Sequence, residues 1–122
     1  MKKQKVMVVE DESLVAADLK YSLITLGYNV SDVVACGEDA IECARYNKPD
    51  IVLMDIRLKG SLDGIDTARR IHEILNVPII FMTAYSDSVT LERIKQVNPA
   101  GYVFKPLSDY DIQNILETAL GS

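Results

Sequence analysis

Short apolar runs alternate along the chain with longer stretches in which apolar residues recur every three or four positions. Val6 to Val9 reads as a strand, and a helix follows from Ser13, read as its N-cap, with Leu14, Ala17, Tyr21 and Ile24 on one face and Gly27 at its C-terminal end. Asn29 to Ala35 predicts a second strand, made more polar by Ser31 and Asp32. Ala40, Cys43, Ala44 and Asn47 predict a helix that must stop before Pro49. Ile51 to Met54 is the third strand. A loop rich in Gly and Asp leads to Gly64, after which Ile65, Ala68, Ile71 and Leu75 restore the helical spacing. Pro78 to Met82 reads as the fourth strand, Ser86 to Val97 as a helix and Tyr102 to Phe104 as a short fifth strand. The last helix carries Ile112, Ile115, Leu116 and Ala119 on one face.

Strands that are each followed by a helix predict an α/β fold, a doubly wound parallel sheet of five strands flanked by five helices. The near-continuous apolar strands agree, because a central parallel strand is buried on both faces. The polar second strand suits a sheet edge. At 122 residues the chain reads as one domain over its whole length, large enough to bury a core without disulfides.

Composition narrows the setting. The chain is 48% hydrophobic and 25% charged, as expected of a globular domain. No apolar run approaches the roughly 20 residues that span a bilayer, and the start lacks the apolar region of a signal peptide, so the reading is cytoplasmic with no membrane partner. Cys36 and Cys43 have neither metal-ligand nor redox spacing and read as buried or half-buried thiols of a reducing compartment. A formal net charge of −5 argues against direct nucleic-acid binding, and Lys2, Lys3 and Lys5 read as a solvated terminus.

The chemistry lies where the strands stop. "VMVVED" ends in Glu10 and Asp11, "IVLMD" in Asp55, "IIFMT" in Thr83 and "YVFK" in Lys105. Parallel strands bring these ends to one rim, the side on which open α/β sheets bind ligands. Any one of these residues alone is ordinary loop or cap chemistry. Together they are costly: two carboxylates about 4 Å apart repel by roughly 4 kcal/mol at an effective dielectric near 20. Oxygen ligands gathered in this way suit Mg²⁺, which commonly shares such sites with phosphate. Lys105 then supplies a positive charge, and Thr83 a hydroxyl, to phosphoryl oxygens. Asp55, on the middle strand, is the candidate nucleophile.

The ordered set "VVEDE", "IVLMD", "IIFMTA" and "YVFKP" resembles the receiver domains of two-component response regulators, over nearly the whole chain. The resemblance implies a flavodoxin-like sheet of strand order 2-1-3-4-5, with Asp55 as phosphoacceptor. It implies Mg²⁺ (or Mn²⁺) held by Asp11, Asp55 and the backbone carbonyl of Arg57, with Glu10 acting through a bound water. Thr83 and Lys105 would hold the phosphoryl oxygens, the bond before Pro106 would be cis, and Thr83 and Tyr102 would form the switch. The donor implied is a sensor histidine kinase or a phosphotransfer protein in a phosphorelay. The output face implied is the fourth helix, fifth strand and fifth helix, turned toward a downstream protein, an output domain or a second copy in a phosphorylation-dependent homodimer.

The sequence departs from the commonest pattern in three places. Glu10 stands where Asp is more frequent, "RLKGSLDGID" is one residue longer than usual before Asp63-Gly64, and Arg57 sets a long cation beside the acceptor. Tyr85 is read as a gate to Asp55, His72 as a packed or surface residue inside the third helix, Asp63 as turn chemistry, and Glu38, Asp39 and Glu42 as a favourable acidic helix start. Two other functions compete. A phosphorylation-independent interaction module is disfavoured because the acidic pair, Thr83 and Lys105 are all present. A Mg²⁺-dependent phosphatase of the haloacid dehalogenase type wants a second Asp two residues after the nucleophile, where this chain has Arg57. A flavin or nucleotide site is disfavoured by the repelling charge of "EDES" after the first strand.

Overall fold

The computed structural model describes residues 3–84 and 88–121, so Tyr85 and the expected helix start at Ser86 lie outside the described residues. Strands β1 (Lys5–Val9), β2 (Asn29–Val34), β3 (Ile51–Asp55), β4 (Ile79–Thr83) and β5 (Gly101–Phe104) alternate with helices α1 (Ser13–Thr25), α2 (Gly37–Asn47), α3 (Gly64–Ile74), α4 (Ser88–Gln96) and α5 (Asp109–Leu120). All strand pairs are parallel and the order is β2-β1-β3-β4-β5. The most polar strand, β2, lies at an edge, with one register shift against β1 between Val6 and Met7.

The period of two along each central strand divides the core into two layers. Val6, Val8, Ile51, Leu53, Ile80 and Met82 face one way, against Leu19 and Leu23 of α1 and Ile112 and Leu116 of α5. Met7, Val9, Val52, Met54, Ile79 and Phe81 face the other way, against Ala40 and Ala44 of α2, Ile65, Ala68 and Ile71 of α3 and Ile94 of α4. Both faces are covered, which is why these strands read as unbroken apolar runs. Complete burial of such side chains stabilises the fold by about 1.5–3 kcal/mol each.

Helix ends follow local chemistry. Lys48 turns left-handed (φ 46°) to end α2 before Pro49. Gly27 (φ 97°) ends the α1 turn in a conformation that L side chains resist. α5 begins with a capping box in which Ser108 and Asp111 exchange side-chain to backbone bonds of 3.1 Å.

α1 differs from its reading in two ways. The N-cap is Glu12, without a side-chain cap bond, and Ser13 is the first helical residue. The buried stripe is Ala16, Leu19 and Leu23, whereas Leu14 and Tyr21 are 81% and 74% exposed and Ala17 and Ile24 also face outward. Ala16, Leu19, Leu23 and Leu26 repeat the spacing of Leu14, Ala17, Tyr21 and Ile24, so periodicity alone cannot rank the two stripes. The short connection from Val9 sets the phase of the helix against the sheet.

Candidate functional site

The ends of β1, β3, β4 and β5 deliver their polar residues to one rim. Asp55 closes β3 and Thr83 closes β4, both buried; Glu10 follows β1 and Lys105 follows β5. The backbone ties these ends together: the Lys105 amide donates to the Thr83 carbonyl at 2.7 Å, and the Ile56 amide to the Met82 carbonyl at 3.3 Å. The bond between Lys105 and Pro106 is cis, as expected.

Residues 95 positions apart meet here. Lys105 Nζ donates to Glu10 Oε1 at 2.6 Å and lies 3.3 Å from Asp55 Oδ2. Glu10 is only 2% exposed and Asp55 6%, so this ion pairing is largely shielded from water. The other Glu10 oxygen accepts from the Glu12 amide at 3.1 Å. Asp55 Oδ1 accepts from the Arg57 amide at 3.3 Å, while the Arg57 side chain is exposed.

Asp11 completes the cluster: one oxygen from each of Glu10, Asp11 and Asp55 lies within 4.8 Å of the others. Its Oδ2 accepts from the Lys59 amide at 3.2 Å, a contact supplied by the long loop after β3. Within the same loop Gly60 takes φ 103°, and Ser61 Oγ donates to Glu38 Oε2 on α2 at 2.7 Å. That bond helps to hold the Glu38 carboxyl below the usual range. The loop path is therefore held at both the acidic pair and α2.

Electrostatics mark Asp55. Burial, reinforced by the charge of Glu10, outweighs Lys105 and pushes its carboxyl up to about 6. Burial would pull the Lys105 ammonium down, but its hydrogen bond to Glu10 and the attraction of Asp55 and Glu10 raise it. Three carboxylates face one ammonium, which leaves an excess of negative charge in a partly buried, oxygen-rich cleft. A hard divalent cation fits that donor set better than a transition metal that favours sulfur or imidazole.

The other singled-out residues lie elsewhere. Tyr102 is partly exposed on β5, its ring edge-on to Phe104 with centroids 5.9 Å apart. His72 Nε2 lies 3.0 Å from the Val77 carbonyl on α3's own side of the core, a packing role. Asp63 is not simple turn chemistry: it is the N-cap of α3, accepting from the Asp66 amide at 2.8 Å, and Arg93 of α4 donates to its second oxygen at 2.8 Å. Both cysteines are half-buried free thiols. The reading missed Gly64, where a Cβ would collide with the Asp55 carbonyl oxygen, and it missed Arg93. An Asp-Gly pair before a helix was the available signal for the first; the second had none.

The fold and this rim define an open, parallel α/β domain with an acidic, oxygen-rich cluster at the carboxyl ends of its strands. Residues 6–117 match the family model for the response regulator receiver domain, and the chain belongs to that family. It is 34% identical over 117 residues to the transcriptional regulatory protein PdtaR of Mycobacterium tuberculosis, covering 96% of this chain and 57% of that protein. The chain thus spans about half the length of the curated relatives it matches. Among solved structures, the signal receiver domain of a modulated diguanylate cyclase from Desulfovibrio desulfuricans superposes with a TM-score of 0.93 at 43% identity, covering 98% of this chain and 95% of that one. The receiver domain of a sensor histidine kinase from Pseudomonas aeruginosa superposes with a TM-score of 0.89 at 34% identity, covering 99% and 100%. That structure holds a magnesium ion in its active site cleft. Among the described residues, no helix is long and apolar enough to cross a membrane.

Proposed function

We propose that the chain is a phosphoacceptor switch in which Asp55 takes a phosphoryl group from a phosphohistidine of a sensor kinase or phosphotransfer protein. The observation that carries this reading is the buried meeting of Glu10, Asp55 and Lys105 beside Asp11. A carboxylate oxygen of Asp55 attacks phosphorus, the P–N bond breaks, and its electron pair leaves with the imidazole nitrogen. Hydrolysis later cleaves the new P–O bond and returns inorganic phosphate. Asp11, Asp55 and the Arg57 carbonyl would hold Mg²⁺, with Glu10 acting through water. When bound, the ion neutralises charge on the phosphoryl oxygens.

The remaining work falls to side chains. Lys105 has an ammonium already aimed at Asp55 Oδ2, where it can follow a phosphoryl oxygen. Thr83, buried at the end of the adjacent strand, offers a hydroxyl to another. Thr83 and Tyr102 form the switch, because a group of about −2 charge held better in one arrangement than another shifts the population toward it. The output face is α4, β5 and α5, where Val89, Tyr102, Phe104 and Tyr110 are exposed and available to an output partner or a second copy. The donor docks over α1, the helix that follows Asp11 in the chain, whose outward Leu14, Tyr21 and Ile24 make an exposed apolar stripe.

Incubation with acetyl phosphate and Mg²⁺, followed by intact-mass spectrometry, tests the reading. One added phosphoryl group is expected, lost without Mg²⁺ and lost in Asp55→Asn. No added mass under rapid quenching, with no beryllofluoride binding, contradicts it and favours the phosphorylation-independent module.

A further inference from the structure

The contact between α4 and the start of α3 is built directly onto the backbone of Asp55. On α4, Arg93 NH1 donates to Asp63 Oδ2 at 2.8 Å, and NH2 faces Asp66 Oδ1 at 3.5 Å. The other Asp63 oxygen caps α3 through the Asp66 amide at 2.8 Å, and the Asp63 carbonyl accepts from the buried Thr67 hydroxyl at 2.7 Å. The next residue, Gly64, donates its amide to the Ile56 carbonyl at 2.7 Å and lies so close that a Cβ would strike the Asp55 carbonyl oxygen. From guanidinium to phosphoacceptor peptide, each step is a hydrogen bond or a packed backbone.

Beyond this pair, α4 packs on the core through its apolar side. Ile94 and the following Val97 are buried and Leu91 is partly buried, while Val89 near its start is exposed. Two further facts support a formed ion pair. Burial raises the Asp63 carboxyl, but the Arg93 hydrogen bond and the Asp66 amide outweigh it and hold the group below its ordinary range. The Asp63 bond in turn raises the Arg93 guanidinium. Arg93 is the planar fork such a site uses, able to reach two carboxylates at once.

We propose that Arg93 is a latch that holds α4 in its resting position against the N-terminus of α3, and that α4 must stretch or release this pair to move when the Asp55 site is filled. The proposal rests on the phosphoacceptor reading of Asp55 and on α4 as part of the output face. Coupling is reciprocal: a restraint that opposes the movement of α4 weakens the grip on a phosphoryl group by the same factor. The latch therefore sets how readily the domain switches.

Two measurements test it. Beryllofluoride is titrated in the presence of Mg²⁺ against wild type, Arg93→Ala, Arg93→Lys, Asp63→Asn and the Arg93→Ala/Asp63→Asn pair, and hydrogen exchange of the α4 amides is followed in the free proteins. Asp63→Asn keeps an oxygen to cap α3 while losing the charge, so it separates latch from cap. Arg93→Ala and Asp63→Asn should each bind beryllofluoride about threefold to tenfold more tightly, the double variant no more tightly than Arg93→Ala alone, and Arg93→Lys in between. The α4 amides of Arg93→Ala should exchange about threefold to tenfold faster. Unchanged α4 exchange in a folded Arg93→Ala, or beryllofluoride binding no tighter than wild type, overturns the latch. If wild type itself binds no beryllofluoride, the phosphoacceptor reading fails, and the exchange measurement alone decides whether Arg93 restrains α4.

Discussion

The two rims of the sheet carry similar residues under opposite conditions. At the N-terminal rim the Lys5 amide donates to Asp50 Oδ2 at 2.7 Å and Lys5 Nζ to the Asn47 carbonyl at 2.6 Å, both in exposed surroundings. At the C-terminal rim the Lys105 ammonium instead pairs directly with the Glu10 and Asp55 carboxylates, sheltered from water. Exposed pairs contribute about 0–1 kcal/mol and demand little of their neighbours. Sheltered charges must be matched, and three carboxylates against one ammonium are not. The difference teaches that sheltered, unbalanced charge at one rim calls for a further positive partner there, whereas the exposed bonds of the opposite rim tie β1 to the end of α2 at little cost.

The largest effect should come from removing the Lys105 ammonium from the buried rim. Lys105→Met leaves Glu10 and Asp55 facing each other and should lower stability by about 3 kcal/mol in metal-free buffer, read by chemical denaturation at neutral pH. A matching loss from Lys5→Met would erase the contrast between the rims. Next in size, Mg²⁺ at about a hundredfold over its dissociation constant should raise stability by about 2.7 kcal/mol, and Asp11→Asn should remove most of that gain. Calorimetry with Mg²⁺ titrated checks both.

Asp55 gives a smaller, pH-dependent effect. Its folded value, pushed up to about 6, exceeds the unfolded one, so the folded state binds this proton more tightly. The resulting stability is fully present below about pH 4 and is lost as pH rises through about 6, up to roughly 2 kcal/mol in metal-free protein after solvent screening. Asp55→Asn, which cannot ionise, should therefore be about 2 kcal/mol more stable than wild type near pH 7.5, with the gain fading toward pH 4. A pH-independent difference in denaturation midpoints would contradict the assigned cause. The smallest effect belongs to the exposed rim: Asp50→Ala should cost about 0.5–1 kcal/mol and leave Mg²⁺ affinity unchanged in the same titrations.

Legibility followed the same physical divide. α3 was readable because only one of its faces is apolar, with Ile65, Ala68 and Ile71 all buried. α1 was not, because it carries two apolar stripes of equal spacing, and the choice between them is made by the phase of a short loop. Glu10, Asp11, Asp55, Thr83 and Lys105 could be placed at one rim because the parallel topology brings strand ends together whatever the loops do. Contacts made by loops and helix ends resisted reading: the Lys59 amide on Asp11, the Ser61 bond to Glu38 and the Arg93 bond to Asp63 depend on backbone paths that no periodicity encodes. Gly64 falls between these cases, its turn visible but its closeness to the Asp55 carbonyl hidden.

The most direct test of the central claim locates the phosphoryl group. Protein treated with acetyl phosphate and Mg²⁺ is trapped with borohydride, which reduces an aspartyl phosphate to homoserine, and the chain is sequenced by peptide mass spectrometry. The account predicts homoserine at position 55 and at no other aspartate, with none in Lys105→Met at equal exposure times. Homoserine at Asp11 or elsewhere, or intact Asp55 in protein that has gained the phosphoryl mass, would contradict it.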